Sequence, residues 1–75
     1  MRIIYVLTCF KNDYWGLRDE RNRLEYHCTQ VIKTKSYCEK FINSYLKTED
    51  LKIKDTSKCF AGNARRIDIQ QIKIN

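Results

Sequence analysis

The chain has 75 residues, of which 43% are hydrophobic and 32% charged, and its net charge is +6. That length allows one small domain, residues 1–75, burying roughly 60% of the surface its unfolded chain exposes. The apolar content excludes a disordered chain, and no apolar run approaches the ~18 residues of a membrane span.

The positive charge is spread evenly. Residues 1–37 carry seven basic and four acidic groups, and residues 38–75 carry eight and five, so each half is +3. Diffuse charge of this kind permits nucleic-acid or acidic partners without requiring them.

Residues 3–10, Ile-Ile-Tyr-Val-Leu-Thr-Cys-Phe, read as the first strand. Strand side chains alternate between faces. Ile3, Tyr5, Leu7 and Cys9 share one face, and Ile4, Val6, Thr8 and Phe10 share the other. Both faces are apolar, which predicts a central strand covered on both sides.

Residues 11–21 have no clean period and predict a long loop. It carries Tyr14, Trp15, Arg18 and Arg21, with Arg23 just beyond. Trp, Tyr and Arg are enriched among binding hot spots, so these side chains are candidate partner contacts. The alternative for Trp15 is a satellite of the core tucked under the loop.

Residues 24–34 alternate as a half-buried strand antiparallel to the first. Leu24, Tyr26, Cys28 and Ile32 are expected on its core face, and Glu25, His27, Thr29, Val31 and Lys33 on the other. A helix is predicted over 36–48. Ser36 and Glu39 fit a capping box, and Cys38, Phe41, Ile42, Tyr45 and Leu46 form one apolar stripe. Glu39, Lys40, Asn43, Ser44 and Lys47 are expected to face water. Burying Phe41 or Leu46 is worth about 1.5–3 kcal/mol each.

Residues 51–55 alternate Leu51 and Ile53 with Lys52 and Lys54, which predicts a short edge strand. Gly62-Asn63 signals a turn, with Cys59 and Phe60 packing inward before it. Residues 66–74 form the closing strand. Ile67 and Ile69 share one parity, and Ile72 and Ile74 the other. Either a bulge at Gln70-Gln71 restores one apolar face, which is the favoured reading, or the strand is covered on opposite sides at its two ends.

These elements assemble as a single α+β domain of order β-β-α-β-β. The sheet is mainly antiparallel, with the first strand central and one amphipathic helix on one face. One helix leaves the other face uncovered. A contiguous apolar patch on a small protein marks a contact site, so a protein partner or a homodimer is expected there.

The layout resembles short orphan accessory domains carried by phages and mobile elements. The resemblance rests on Ile4-Tyr5-Val6-Leu7-Thr8, on Val31 to Lys35 leading into Cys38, Phe41 and Ile42, and on Ile67 and Ile69. The chain departs from it in the Tyr14-Trp15 loop and the 51–60 segment. The resemblance implies a small intracellular protein that binds, and inhibits or redirects, a larger host machine. It carries over no catalytic residue.

Chemistry-bearing motifs are missing from the sequence. Cys9, Cys28, Cys38 and Cys59 lack metal-ligand spacing. His27 is the only histidine. Asp19-Glu20 and Glu49-Asp50 are adjacent pairs that diverge in extended chain, and no phosphate loop or nucleotide fingerprint occurs. The expectation is a non-enzymatic protein with no cofactor and no metal. The opening apolar run lacks the flanks of a secretory leader, so a cytoplasmic protein with reduced thiols is expected.

Two functions from different classes follow. One is a protein-binding regulator using the uncovered face and the Tyr14-Trp15 loop. The alternative is a small basic nucleic-acid-binding module, with Lys11, Arg18, Arg21 and Arg23 around the first loop and Lys58, Arg65 and Arg66 near the later turn.

Overall fold

Apolar runs with a period of two, interrupted by one stretch with helical period, settle into a single sheet and a single helix. The computed structural model describes residues 2–12 and 24–75. The elements are β1 (Arg2–Lys11), β2 (Glu25–Ile32), α1 (Lys35–Leu46), β3 (Cys59–Gly62) and β4 (Arg65–Ile74). All pairings are antiparallel, and the strand order is β2-β1-β4-β3. β1 is thus flanked on both sides, as its two apolar faces require.

The helix covers one face. Tyr5, Leu7 and Cys9 of β1 and Ile67 and Ile69 of β4 meet Cys38, Ile42 and Leu46 of α1, and Ile53 closes the cluster. Phe41 and Tyr45 lie at the margin of this core, half-buried, so the full burial value belongs to Ile42 and Leu46.

The helix starts earlier than its capping signature suggested. Thr34 is the N-cap, with its hydroxyl accepting from the Tyr37 amide at 3.3 Å. Ser36 already lies inside the helix. Glu39 does not reach back to the helix start, because its carboxylate accepts from the Ile53 amide at 2.8 Å. The capping-box glutamate is spent on holding the next segment.

That segment keeps the predicted alternation but is not a strand. Leu51 and Ile53 turn inward, while Lys52 and Lys54 are exposed. The Leu51 and Ile53 amides bond to helix side chains, Asn43 and Glu39, instead of to a neighbouring strand. The third strand falls at Cys59–Gly62, inside the stretch read as a turn. Phe60 packs against the core, but Cys59 is exposed on the opposite face.

One irregularity was misplaced by sequence reasoning. β4 runs against β1 without a slip, from Arg2 opposite Ile74 to Lys11 opposite Arg65. No bulge interrupts Gln70-Gln71, so Ile67 and Ile69 lie under the helix, and Ile72 and Ile74 lie on the far face. The bulge is in β2 instead. Cys9 faces Cys28, but Phe10 faces Tyr26, leaving His27 as the extra residue. Tyr26 therefore joins Phe10 on the far face instead of the core. His27 turns toward the helix, where its Nδ1 lies 3.1 Å from the Tyr45 hydroxyl.

Candidate partner-binding face

The register fixes which side chains sit side by side on the face opposite α1. Ile4 lies beside Ile72, and Arg2 beside Ile74. Val6 lies between Val31 and Gln70, Thr8 between Thr29 and Asp68, and Phe10 between Tyr26 and Arg66. Three zones result across one surface.

At one end Ile4, Val6, Val31, Ile72 and Ile74 make an apolar patch. Val31 retains 61% of its surface exposed and Ile74 41%. β-branched side chains of this kind are favoured on a sheet because they pack against cross-strand neighbours. Here they pack sideways onto one another and leave their tops open. The one helix among the described residues lies on the other side of the sheet.

The middle zone is polar. The Tyr26 hydroxyl and Thr29 Oγ1 are 2.9 Å apart. Asp68 meets Arg66, whose Nε stands 3.2 Å from Oδ1. The same Nε has no partner in hydrogen-bonding geometry, so the contact is an ion pair lying off the N–H axis. Cys59, beside Asp68 in the ladder, has its thiol pushed up by burial and by its hydrogen bond to that carboxylate.

The far end is aromatic. Phe10 and Tyr26 meet edge-on with centroids 6.4 Å apart, and the Arg66 guanidinium stacks 4.4 Å above the Phe10 ring. Such contacts align planar groups on an accessible sheet surface.

The predicted site residues divide by position. Tyr14, Trp15, Arg18, Arg21 and Arg23 lie outside the described residues. Arg65 and Arg66 are adjacent in sequence but point to opposite faces. Arg65 donates to the Tyr45 carbonyl at 2.8 Å and stacks 4.9 Å over the Tyr45 ring, so it serves the helix. Arg66 belongs to the open face. Lys58 is exposed in the loop before β3, and Lys11 ends β1 opposite Arg65.

Sequence reasoning missed Tyr26, Ile72 and Ile74 as members of this surface. For the two isoleucines the signal was present, since they have the parity of Ile4 once the ladder is taken as unbroken. For Tyr26 it was not, because a one-residue bulge leaves no mark in a short alternating strand.

Other surfaces offer less. A wide cleft beside α1 mixes carboxylates of Glu39, Glu49 and Asp50 with Lys40 and Lys52. Glu39 and Asn43, which line it, are already bonded to backbone groups. Among the described residues no group of three His, Cys, Asp or Glu side chains is placed to hold a metal, and no helix is long and apolar enough to cross a membrane. Comparison with family models, curated proteins and solved structures finds no match.

Proposed function

We propose that this chain is a non-enzymatic interaction protein that docks through the open face of its sheet onto a larger protein partner. It would act by occupying that partner's surface, in the manner of the accessory domains of phages and mobile elements that the sequence layout resembles. The observation that carries the reading is the apolar end of the open face, where Ile4, Val6, Val31, Ile72 and Ile74 stand together with Val31 mostly exposed. Patches of this kind on a small protein mark contact sites, and burying them is worth about 25 cal/mol per Å².

The test is affinity capture from native cells at high salt, comparing the wild-type chain with Val31→Glu/Ile72→Lys. Both substitutions fall on exposed positions and should leave folding intact. Loss of a discrete captured protein in the variant is the expected result. Equal capture by both chains sinks the reading. A homodimer through the same face is tested by sedimentation, and a monomer at high concentration removes it.

A nucleic-acid reading is favoured by one observation, the Arg66–Phe10–Tyr26 cluster at the other end of the face. Exposed aromatics beside an arginine can stack unpaired bases. Binding of that kind weakens steeply with salt and would be lost in Tyr26→Ala while surviving Val31→Glu/Ile72→Lys.

A further inference from the structure

We infer that Cys9 and Cys28 form a reversible dithiol–disulfide pair, oxidised by low-molecular-weight disulfides such as glutathione disulfide. The pair lies on the helix side of the sheet, away from the open face.

Cys9 and Cys28 are direct cross-strand partners in the β1–β2 ladder. Opposed residues of antiparallel strands have Cα atoms about 4.5–5.5 Å apart, within the roughly 4.4–6.8 Å that a disulfide spans. Both side chains fall on the helix side of the ladder, and the Cys28 thiol is the neighbour that, after burial, pushes the Cys9 thiol up.

Their accessibilities differ in a useful way. Cys9 is 0% exposed, whereas Cys28 is half-buried. An external reagent therefore meets Cys28 first, and Cys9 is reached through it. The β2 bulge places an imidazole beside this thiol. His27 Nδ1 lies 3.7 Å from the Cys28 sulfur and is held there by the Tyr45 hydroxyl and by stacking on the Tyr45 ring. Gln30 Nε2 approaches the same sulfur at 3.8 Å, in position to donate to a thiolate. A thiolate is the attacking form.

The chemistry balances in two exchanges. Cys28, its proton released to solvent, attacks one sulfur of the small disulfide. A mixed disulfide forms, and one small thiolate leaves and takes a proton from solvent. Cys9 then attacks the Cys28 sulfur. The protein S–S bond forms, the mixed bond breaks, and the departing thiolate takes the Cys9 proton. The protein is oxidised by two electrons, and one small disulfide becomes two thiols.

Neither Cys38 nor Cys59 stands opposite Cys9 or Cys28 in the ladder. Cys38 sits on the helix in the core, and Cys59 lies on the opposite face of the sheet. The bridge would close residues 10–27 into one covalent loop and so bind the base of the segment that carries Tyr14, Trp15 and the arginines.

The test treats the full-length Cys59→Ser chain with glutathione disulfide under native conditions, followed by mass spectrometry and unreduced peptide mapping. The expected product has lost two hydrogens, joins the Cys9 and Cys28 peptides, and reverts with dithiothreitol. Its melting temperature should rise by about 5–15 °C, from the loop constrained in the unfolded state. In Cys9→Ser, the glutathione adduct on Cys28 should accumulate about tenfold over the parent, because the resolving thiol is gone. A bridge to Cys38, a lasting adduct on Cys28 with Cys9 intact, or the same scrambled products as in denaturant would each overturn the assignment. The native peptide map of the parent decides the matter even if Cys9→Ser fails to fold.

Discussion

Asn43 uses its whole hydrogen-bonding capacity. Its Nδ2 donates to the Glu39 carbonyl at 2.8 Å and to the Leu51 carbonyl at 3.2 Å, and its Oδ1 accepts from the Leu51 amide and the Thr48 hydroxyl, both at 3.0 Å. One half-buried side chain thus fixes the path of the chain as it leaves the helix. Asn43→Ala would leave the Leu51 amide and carbonyl without these partners, and unmade bonds at partly buried groups cost more than the average bond returns. The expected loss is about 2–3 kcal/mol, read as a lower urea midpoint with an unchanged slope. An unchanged midpoint would remove Asn43 as the organiser of this turn. Helical spacing put Asn43 on the water side, which is where a polar residue off the apolar stripe belongs. What the spacing could not show is that an irregular segment returns to that side carrying unpaired backbone groups. His27 was misread for a related reason, since its neighbours were settled by a bulge that alternation does not encode.

At the scale of elements, the helix end and the β3–β4 hairpin are one device. Lys47 closes α1 in the left-handed region at φ 55°. The last helical carbonyls are then taken from outside, by the Asn63 side chain on Leu46 and by Arg65 on Tyr45. Asn63 and Ala64 both have positive φ, 51° and 57°, the geometry of a two-residue type I′ turn. Asparagine suits the first position. Alanine at the second is disfavoured by its Cβ, which makes the left-handed region unfavourable for L-residues. Ala64→Gly relieves that cost and should stabilise the chain by about 0.5–1 kcal/mol, after the extra unfolded-state entropy of glycine is deducted. A rise in melting temperature checks it, and a fall would show that the turn is not held as described. The long elements were legible because their periodicity is carried by many residues: β1, α1 and β4 lie where the sequence puts them, within two residues. β3 was not, since four residues running into a turn signal carry too little pattern. The 51–55 segment failed in the opposite sense, because its alternation is real but its backbone partners are helix side chains.

At the scale of the molecule, the sheet has one dry face and one open one, and the dry face encloses two thiols. Burial pushes Cys38 up to about 11, with the Glu39 charge adding to it, and burial and the hydrogen bond to Cys28 push Cys9 up as well. The ordinary thiol value is 9.0. Below that both thiols are protonated, folded or unfolded, and stability does not depend on them. Above it the unfolded chain releases protons that the folded chain retains, so stability falls as pH rises from about 9 toward 11 and beyond. The melting temperature under reducing conditions should be flat with respect to these groups near pH 8 and decline across that alkaline window. Cys38→Ala should lower the starting value and flatten part of the decline. A decline of the same steepness in Cys38→Ala would show that this thiol is not its source. That no described helix covers the second face was legible as a shortage of helix, since one amphipathic segment cannot roof two apolar surfaces. Its zoning was not, because that depends on which residue of each strand stands beside which.

The central strand leaves the ribosome before either of its neighbours, and its ladder with β4 runs from Arg2 opposite Ile74 to Lys11 opposite Arg65. On the ribosome, β1 can zip to β2 early, but its second edge must wait until β4 has emerged. Until then a greasy ribbon with a vacant margin is available to any passing strand, the condition under which nascent chains aggregate. Closure of so distant a pair is slow, so production of this protein should depend on how quickly β4 follows β1 out of the ribosome.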